Sequence, residues 1–222
     1  MAKQSDFAQQ RAGMVERQLH RRGIDDERVL AAMAEVPREH FVPEDVRASA
    51  YNDSALPIGN EQTISQPWVV AAICQALRLA GDESVLEIGT GSGYSAAVLA
   101  KLARHVISIE RVAELGETAR LKLRELGVPN AEVIIGDGSR GYPEGAPYEA
   151  IAVHAATPEA PHSLLAELAT DGRLVVPIAT GSADLLTAFI RENGDLRQET
   201  IGPCRFVPLI GAEGFNPTEP PN

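Results

Sequence analysis

The sequence predicts an α/β fold built on a doubly wound, mostly parallel sheet, with a helical N-terminal extension and C-terminal antiparallel strands. Three observations support this prediction. Short apolar runs of strand length alternate with helical patterns from residue 84 onward. A glycine-rich turn, G-T-G-S-G over residues 89–93, joins the first of these runs to the helix that follows it. Alternation of this kind is typical of βαβ units, whose strands lie parallel.

Two helices are predicted before the sheet. The first covers residues 6–22, where apolar side chains recur at helical spacing, and it ends at Gly23. The second lies within residues 25–36, with Asp25 as its N-cap and Pro37 ending it. Both helices belong to the N-terminal extension.

The stretch over residues 37–67 is long, shows little periodicity and is rich in Pro, Asn, Asp, Ser and Gly. A segment of this length inside a compact chain is either functional or disordered. Its apolar residues are Phe41, Val42, Tyr51, Leu56, Ile58 and Ile64. Because these side chains argue against disorder, we predict a functional segment.

The sheet region follows a buried helix that begins with Pro67 at its N1 position and runs to Gly81. The predicted strands are SVLEI (84–88), HVISIE (105–110), AEVIIGDG (131–138), YEAIAVHAA (148–156) and GRLVVPI (172–178). The helices between them begin at Tyr94, end at Gly127 and begin at about Pro158. Residues 184–202 then read as two strands around a glycine-containing turn, an antiparallel hairpin.

We expect one domain over residues 1–215, divided into a helical, substrate-facing segment (1–66) and a ligand-binding core (67–215). The remaining residues, 216–222, form a polar, proline-rich tail that we expect to be disordered.

Composition excludes several classes of protein. The 222-residue chain carries a net charge of −11 without a Lys/Arg cluster, which argues against nucleic-acid and anionic-membrane binding. The longest apolar stretch, residues 68–80, is too short to span a bilayer, and the N-terminus has no signal-peptide pattern. Two cysteines make a disulfide framework unexpected, and the histidines show no metal-ligand spacing. We expect a reduced, cytoplasmic, monomeric protein with no metal site.

Three acidic residues end successive predicted strands, or stand one residue before the end: Glu87, Glu110 and Asp137. Ligands of open α/β sheets bind at this edge, outside the carboxyl ends of the strands. The glycine turn lacks the last glycine of the dinucleotide fingerprint, since Tyr94 stands there, and no P-loop motif occurs. Taken singly, the turn could be structural and the acids could be solvated. Together they favour a neutral or cationic nucleoside ligand over a pyrophosphate.

The motifs LEIGTGSGY, SIE and GDG resemble those of class I S-adenosylmethionine-dependent methyltransferases. AYNDSALPIGNEQTISQP, APYEAIAVHAA and FVPLIG are similar to the protein-L-isoaspartate O-methyltransferase family in particular, and the resemblance covers residues 14–211. It implies a Rossmann-like methyltransferase fold with S-adenosyl-L-methionine as cofactor. It also implies methyl transfer to the free α-carboxylate of L-isoaspartyl residues in damaged proteins and peptides, which starts their repair through a succinimide.

The resemblance also implies the site residues. Those for the cofactor are Glu87, Gly89, Thr90, Gly91, Glu110, Asp137 and Gly138, with Glu110 on the ribose and Asp137 and Gly138 on the adenine. Ser65 matches the catalytic serine, and Gln62, Thr63 and Val207 match substrate contacts. Two residues depart from the family pattern. Glu61 adds a negative charge that would oppose binding of a carboxylate, and His154 replaces a threonine.

The expected chemistry needs few groups, because a carboxylate nucleophile is already ionised at neutral pH. Ser65 could hold it near the start of the helix at Pro67, or could instead cap that helix, and both roles are compatible. Three other functions stay open at this point: a methyltransferase for aspartates of a dedicated peptide, a nicotinamide-dependent oxidoreductase, and a non-catalytic nucleoside-binding scaffold.

Overall fold

The computed structural model describes the chain from Ala2 to Asn216, together with Thr218. Within these residues the helices are α1 (Ala2–Met14), α2 (Glu27–Glu35), α3 (Pro67–Leu77), α4 (Tyr94–Leu102), α5 (Ala113–Glu125) and α6 (His162–Ala166). The strands are β1 (Leu56–Gly59), β2 (Gln62–Ile64), β3 (Ser84–Ile88), β4 (His105–Glu110), β5 (Ala131–Ile135), β6 (Tyr148–Val153), β7 (Leu168–Ala179), β8 (Asp184–Glu192) and β9 (Asp195–Cys204). None of these helices is long and apolar enough to cross a membrane. The tail expected over residues 216–222 lies outside the described residues, apart from Asn216 and Thr218.

Strands β3 to β9 form one seven-stranded sheet in the order β5-β4-β3-β6-β7-β8-β9, and β1 pairs with β2 in a separate hairpin. The pairs from β5 through β7 are parallel, and β8 and β9 are added antiparallel at one edge. The chain enters the sheet at β3, builds outward to β5, and returns to β6 on the other side of β3. The predicted doubly wound sheet with C-terminal antiparallel strands is confirmed.

The central strands are short apolar runs because both of their faces are covered. In β3, Val85 joins the apolar cluster beneath α3 and α4, whereas Leu86 and Ile88 join the cluster on the opposite face, which includes residues of α6. In β6, the alanines Ala150 and Ala152 face the first cluster. The helices therefore pack on two sides of the sheet and leave its carboxyl edge for the loops.

The N-terminal helix ends where the sequence predicts, but its second half is not α-helical. After α1 the chain passes through a π-helical segment, Val15–Leu19, and a 3-10 turn, His20–Arg22. Gly23 then adopts φ +90°, a left-handed conformation that ends the helix at low cost for glycine.

The predicted N-cap of α2 is wrong by one residue. Asp26, not Asp25, caps this helix, because its carboxylate accepts hydrogen bonds from the N–H groups of Arg28 and Val29. Both aspartates precede the helix, and only the backbone conformation decides which carboxylate reaches the free N–H groups.

Two further helix ends differ from the prediction. Helix α3 stops at Leu77 rather than at Gly81, because Arg78 adopts a left-handed conformation with φ +54°. Helix α6 begins at His162, after its N-cap Pro161, rather than near Pro158. These changes in the ends of α3 and α6 do not alter which residues lie at the carboxyl edge of the sheet.

The functional segment predicted over residues 37–67 contains the β1–β2 hairpin, which no sequence pattern indicates. Its strands have four and three residues, too few to show alternation, and Leu56 pairs with Ile64 on its buried side. Asn60 and Glu61 form the turn with φ +51° and +58°. Glu61 is exposed there, so its charge lies at the tip of the hairpin.

Asp26→Ala should lower the free energy of unfolding by about 1 kcal/mol, because two N–H groups at the start of α2 lose their acceptor. Asp25→Ala removes the same charge one residue earlier, where the side chain is exposed. This control variant should change the free energy by no more than about 0.5 kcal/mol. Urea unfolding of both variants measures the difference, and equal losses would contradict the assignment of the cap.

Candidate active site

The turn between β3 and α4 redirects the chain within five residues. Gly89, Gly91 and Gly93 have φ of +91°, +53° and +90°, a region that glycine adopts at little cost. Space is limited as well, since a Cβ on Gly93 would lie 3.1 Å from the Cβ of Ala119. The turn therefore brings backbone without side chains to the carboxyl edge of the sheet, where ligands bind in this class of fold.

A carboxylate at the end of β4 fixes this turn. The two oxygens of Glu110 accept hydrogen bonds from the N–H groups of Gly91 and Val112, each at 2.8 Å. The side chain is largely buried and borders the cavity described next. Because a carboxylate oxygen has two lone pairs, Glu110 keeps acceptor capacity for the hydroxyl groups of a ligand.

An inner cavity lies between the glycine turn, the ends of β4 and β6, strand β2 and residues 207–210. Nine of the eleven predicted site residues line it: Gln62, Thr63, Ser65, Gly89, Thr90, Gly91, Glu110, Gly138 and Val207. Glu87 and Asp137 do not. The structure thus brings residues separated by up to 145 positions (62 to 207) to one cavity.

An outer cleft adjoins the inner cavity. It is lined by Arg22, Ala55, Thr63, Ser65, Gln66, Trp68, Val69, His154 and residues 203–207. Thr63, Ser65, His154 and Val207 line both spaces. These four residues form the wall across which two bound molecules would meet.

Ser65 does not cap α3. The N-cap of this helix is Gln66, which makes no side-chain capping bond, and Pro67 occupies the first turn. Among the described residues the Ser65 hydroxyl has no hydrogen-bond partner, so it is free to bind a ligand. The helix-cap explanation of this serine is wrong in this structure.

A fully buried arginine holds the backbone of Ser65. Arg38 Nη2 donates to the carbonyl oxygen of Ser65 at 2.7 Å, and Nε donates to that of Ala50 at 2.8 Å. The guanidinium carbon lies 5.0 Å from the ring centroid of Tyr94, in α4. Arg38 was not among the predicted site residues, because no local sequence pattern marks it and all three of its contacts are distant along the chain.

Glu87 lies behind His154 rather than on the wall of the inner cavity. Its carboxylate is fully buried and accepts a hydrogen bond from the hydroxyl of Ser108. Its other oxygen, Oε1, lies 3.4 Å from His154 Nε2, which is 2.7 Å from Ser95 Oγ. His154, one of the two residues that depart from the family pattern, therefore stands between Glu87 and the cavity.

Burial changes the ionisation of both members of this pair. It raises the pKa of Glu87 from 4.5 to about 7, against the lowering effect of the hydrogen bond from Ser108. It lowers the pKa of His154 from 6.5 to about 4. In each case the charged form loses hydration. Near pH 6 the proton therefore resides on Glu87 and both side chains are neutral.

Asp137 joins β5 to the C-terminal segment. Its Oδ1 accepts from the backbone and the hydroxyl of Ser139, and its Oδ2 accepts from the N–H of Ala212 at 2.9 Å. Burial opposes the charge of Asp137, but these hydrogen bonds lower its pKa below the usual value. Next to it, Gly138 has no room for a side chain, since a Cβ would lie 2.6 Å from Cγ2 of Ile88.

The chain matches the family model of protein-L-isoaspartate(D-aspartate) O-methyltransferase over residues 9–214. Protein-L-isoaspartate O-methyltransferase 1 of Rhodopseudomonas palustris (strain HaA2) is 53% identical over 218 residues, which is 97% of this chain and 89% of that protein. The protein-L-isoaspartate O-methyltransferase of Herpetosiphon aurantiacus is 52% identical and covers 94% of this chain and 93% of its own length.

Solved structures agree with these relatives. A protein-L-isoaspartate O-methyltransferase matches 93% of this chain and 67% of its own, with a TM-score of 0.82 and 28% identity. A Plasmodium falciparum protein of the same description, solved in complex with S-adenosyl-L-homocysteine, matches 90% of this chain and 98% of its own, with a TM-score of 0.79 and 26% identity.

Single substitutions in the Glu87–His154 pair should change the pH dependence of stability in opposite directions. Between pH 4.5 and 6.5 the unfolded chain binds one proton on His154, and the folded chain binds one on Glu87, so the pair adds little slope. In His154→Thr, Glu87 keeps its raised pKa, so the folded chain binds a proton that the unfolded chain has lost. The free energy of unfolding should therefore fall, relative to the unaltered chain, as pH rises from about 4.5 to 7. In Glu87→Gln, His154 keeps its lowered pKa, so the unfolded chain binds a proton that the folded chain does not. The free energy of unfolding should therefore rise as pH rises from about 4 to 6.5.

Urea unfolding at intervals from pH 4.5 to 7.5 measures these slopes, and we expect each to total on the order of 1–3 kcal/mol. The double variant Glu87→Gln/His154→Thr is the control, because it should restore the slope of the unaltered chain. Parallel profiles for all four proteins would contradict the proton distribution described above.

Proposed function

We propose that this chain, which belongs to the protein-L-isoaspartate(D-aspartate) O-methyltransferase family, uses Ser65 to position the carboxylate that it methylates. The enzyme transfers a methyl group from S-adenosyl-L-methionine to the free α-carboxylate of L-isoaspartyl residues in damaged proteins and peptides. The ester then closes to a succinimide, and hydrolysis restores some normal aspartate. One observation supports the role of Ser65: its free hydroxyl lies on the wall shared by the inner cavity and the outer cleft.

The residues of the inner cavity fit the cofactor. The absence of side chains on the glycine turn leaves room for a ligand against the backbone. A side chain on Gly91 would reduce this room, because its Cβ would lie 3.3 Å from the side chain of Ile58. We propose that Gly89, Thr90 and Gly91 border the methionine part and that the remaining lone pairs of Glu110 accept from both ribose hydroxyls. The cofactor, when bound, supplies an electrophilic methyl group on a sulfonium.

Three other residues complete the proposed cofactor site. We propose that Gly138 borders the adenine from the cavity wall, and that Asp137, which does not itself line the cavity, accepts from the adenine amino group with the remaining lone pair of its Oδ2. We propose that Glu87, which lies behind His154 and does not line the cavity, supports the methionine part of the site without direct contact.

The protein's part in the chemistry is positioning. The substrate carboxylate, with an ordinary pKa near 4, is ionised at neutral pH and needs no general base. Ser65 can donate a hydrogen bond to one carboxylate oxygen and leave the other to face the inner cavity in line with the methyl group. Thr63 and Val207, on the same wall, and Gln62 beside them would border the peptide and exclude water. His154, neutral at this pH, is not required as a base.

The relatives argue against the other functions that the sequence left open. Relatives about 50% identical carry the isoaspartate methyltransferase description, which does not favour a dedicated peptide substrate. An oxidoreductase or an inactive scaffold is likewise not what these relatives are.

We also propose that residues 1–66 form the substrate-facing part and residues 67–215 the cofactor-binding core of a single domain. The contribution of Gln62, Thr63 and Ser65 to the site supports this division. We propose further that the enzyme acts as a monomer in the cytoplasm and binds no nucleic acid, which its net charge of −11 supports.

Ser65→Ala should reduce methyl transfer to an isoaspartyl peptide by about 10- to 100-fold, equivalent to roughly 1.4–2.8 kcal/mol of transition-state stabilisation. The dissociation constant of S-adenosylhomocysteine should change less than about twofold, because Ser65 acts on the substrate side. Labelled-methyl transfer to matched Asp and isoAsp peptides gives the rate, and calorimetry gives the affinity.

Ser54→Ala, which alters an exposed serine in the same segment, is the control. Full activity of Ser65→Ala would contradict its role, and failure of the unaltered chain on the isoAsp peptide would contradict the function.

Glu110→Ala should weaken binding of S-adenosylhomocysteine by about 1.5–3 kcal/mol, since both ribose hydroxyls would lose a charged acceptor. The variant also frees the N–H of Gly91, so urea unfolding must show that it is folded at the temperature of the calorimetry. Glu117→Ala, which removes an exposed acid from α5, should leave the affinity unchanged. An unaltered dissociation constant in Glu110→Ala would refute the ribose assignment.

A further inference from the structure

The outer cleft is cationic in an otherwise acidic protein. Asp and Glu exceed Lys and Arg by 11 over the whole chain, 31 against 20. Yet the charged side chains that line the outer cleft, within the described residues, are two arginines, Arg22 and Arg205, and no acid. A cleft of this sign, next to the wall that carries Ser65, is suited to bind negative charge.

The two arginines are not equivalent. Arg22 Nη1 lies 2.5 Å from Asp53 Oδ2, and its guanidinium carbon lies 5.3 Å from the ring centroid of Trp68. Its charge is therefore already compensated by a carboxylate. Arg205 is exposed and has neither an ion pair nor a side-chain hydrogen bond to any described residue. The uncompensated positive charge of the cleft thus belongs to Arg205.

The backbone that carries Arg205 is fixed on the core. The N–H of Phe206 donates to Asp184 Oδ2 at 2.7 Å, and the carbonyl oxygen of Val207 accepts from the N–H of Ala156 at 2.8 Å. Pro208 forms a parallel bridge with Ala156. A free guanidinium on an anchored segment loses little backbone entropy when it binds a ligand.

Arg205 lines the outer cleft and also a neighbouring cleft that contains Asp184, but it does not line the inner cavity. Val207, two residues later, lines both the outer cleft and the inner cavity. A molecule that contacts Arg205 from within the outer cleft therefore lies on the substrate side of Ser65, away from the space assigned to the cofactor. The isoaspartyl residue itself must reach the wall at Ser65. The group that meets Arg205 is then a neighbouring part of the same peptide.

We propose that Arg205 forms a substrate subsite that binds a second carboxylate of the peptide, outside the isoaspartyl residue that is methylated. This carboxylate is an Asp or Glu side chain close to the isoaspartyl residue or the C-terminal carboxylate of a short peptide. The proposal rests on the proposed function, since the outer cleft must hold the substrate. The planar guanidinium matches a carboxylate with two parallel hydrogen bonds, which favours carboxylates over neutral amides.

The effect should be moderate because Arg205 is exposed to solvent. Exposed ion pairs contribute only a fraction of the strength of buried ones, so we expect a preference of about two- to fivefold for a peptide with the carboxylate. The preference should act on KM more than on kcat, because the subsite binds the peptide equally before and during methyl transfer. It should also decline as salt is raised, as for any solvent-exposed pair.

The test compares isoaspartyl peptides that carry Glu or Gln at each position from two residues before to two residues after the isoaspartate. Each peptide is made with a free and with an amidated C-terminus. Binding is followed directly through the fluorescence of Trp68, the single tryptophan of the chain, which lines the outer cleft. Methyl transfer is measured on the same peptides, with S-adenosylhomocysteine present in the binding titrations to occupy the inner cavity.

The unaltered enzyme should bind at least one Glu peptide, or the free-acid form, about two- to fivefold more tightly than its neutral partner. In Arg205→Ala this ratio should fall to about 1, whereas Arg124→Ala, which removes an exposed arginine from α5, should keep it. A preference that follows the Glu position identifies a side chain as the ligand. A preference that follows amidation identifies the C-terminus.

Three results would overturn the subsite: no preference in the unaltered enzyme, a preference that survives in Arg205→Ala, or equal loss on all peptides in that variant. The last would mean that Arg205 contacts the isoaspartyl carboxylate or supports the fold. Binding and catalysis separate the two proposals. Preferential binding without methyl transfer would contradict only the proposed function, and methyl transfer without a preference would contradict only the subsite.

Discussion

The arrangement of the site depends on one constraint, the pairing of β3 with β4 on one side and β6 on the other. Because all three strands are parallel, their carboxyl ends meet at one edge, and the chain leaves β3 by a tight turn in left-handed backbone conformation. The glycines at residues 89–93 meet that requirement. Once the turn is made, the N–H of Gly91 reaches Glu110 at the end of β4, and His154 follows the end of β6 directly. The sheet therefore brings the glycine turn, Glu110 and His154 together at one side of the inner cavity.

Arg38 attaches the backbone of Ser65 to this edge of the sheet. A guanidinium taken fully out of water loses several kcal/mol of hydration, and its partners here are carbonyl oxygens rather than a carboxylate. The contact with the ring of Tyr94 in α4 offsets part of that cost. Since Tyr94 is the first residue after the glycine turn, Arg38 connects the backbone of Ser65 to the same turn that borders the inner cavity. Ser65 and the glycine turn are thus held in one fixed relation, as the proposed in-line transfer requires.

The sequence was sufficient for features that rest on local pattern or on a characteristic motif. The alternation of strand and helix patterns predicts the strands, and the backbone torsions required after β3 predict the glycine turn. The family motifs predict that Glu110 and Ser65 lie at one edge of the sheet. Features that depend on distant contacts were not predictable. The buried position of Arg38 is decided by residues 12 to 56 positions away, and the hairpin before Ser65 is too short to show a period. The order in which Glu87 and His154 stand at the cavity also depends on packing that only the folded chain defines.

An acidic protein that binds both a cation and a carboxylate has to separate two opposite electrostatic requirements over a short distance. Around the inner cavity, which we propose for the cofactor, the carboxylates are restrained: Glu110 is engaged by two N–H groups, and Glu87 behind His154 is kept largely protonated near pH 6 by burial. Arg111 adds a positive charge to the same lining. On the substrate side the lining charges are arginines, and the groups between the two sides, Ser65 and neutral His154, carry no charge. In the proposed arrangement, a carboxylate that enters by the outer cleft meets positive charge first, then a neutral donor, and meets the acids only beyond the cofactor. At physiological salt, charges more than about 8 Å away are largely screened, so the proposed site depends on this local order of charges rather than on the net charge of −11.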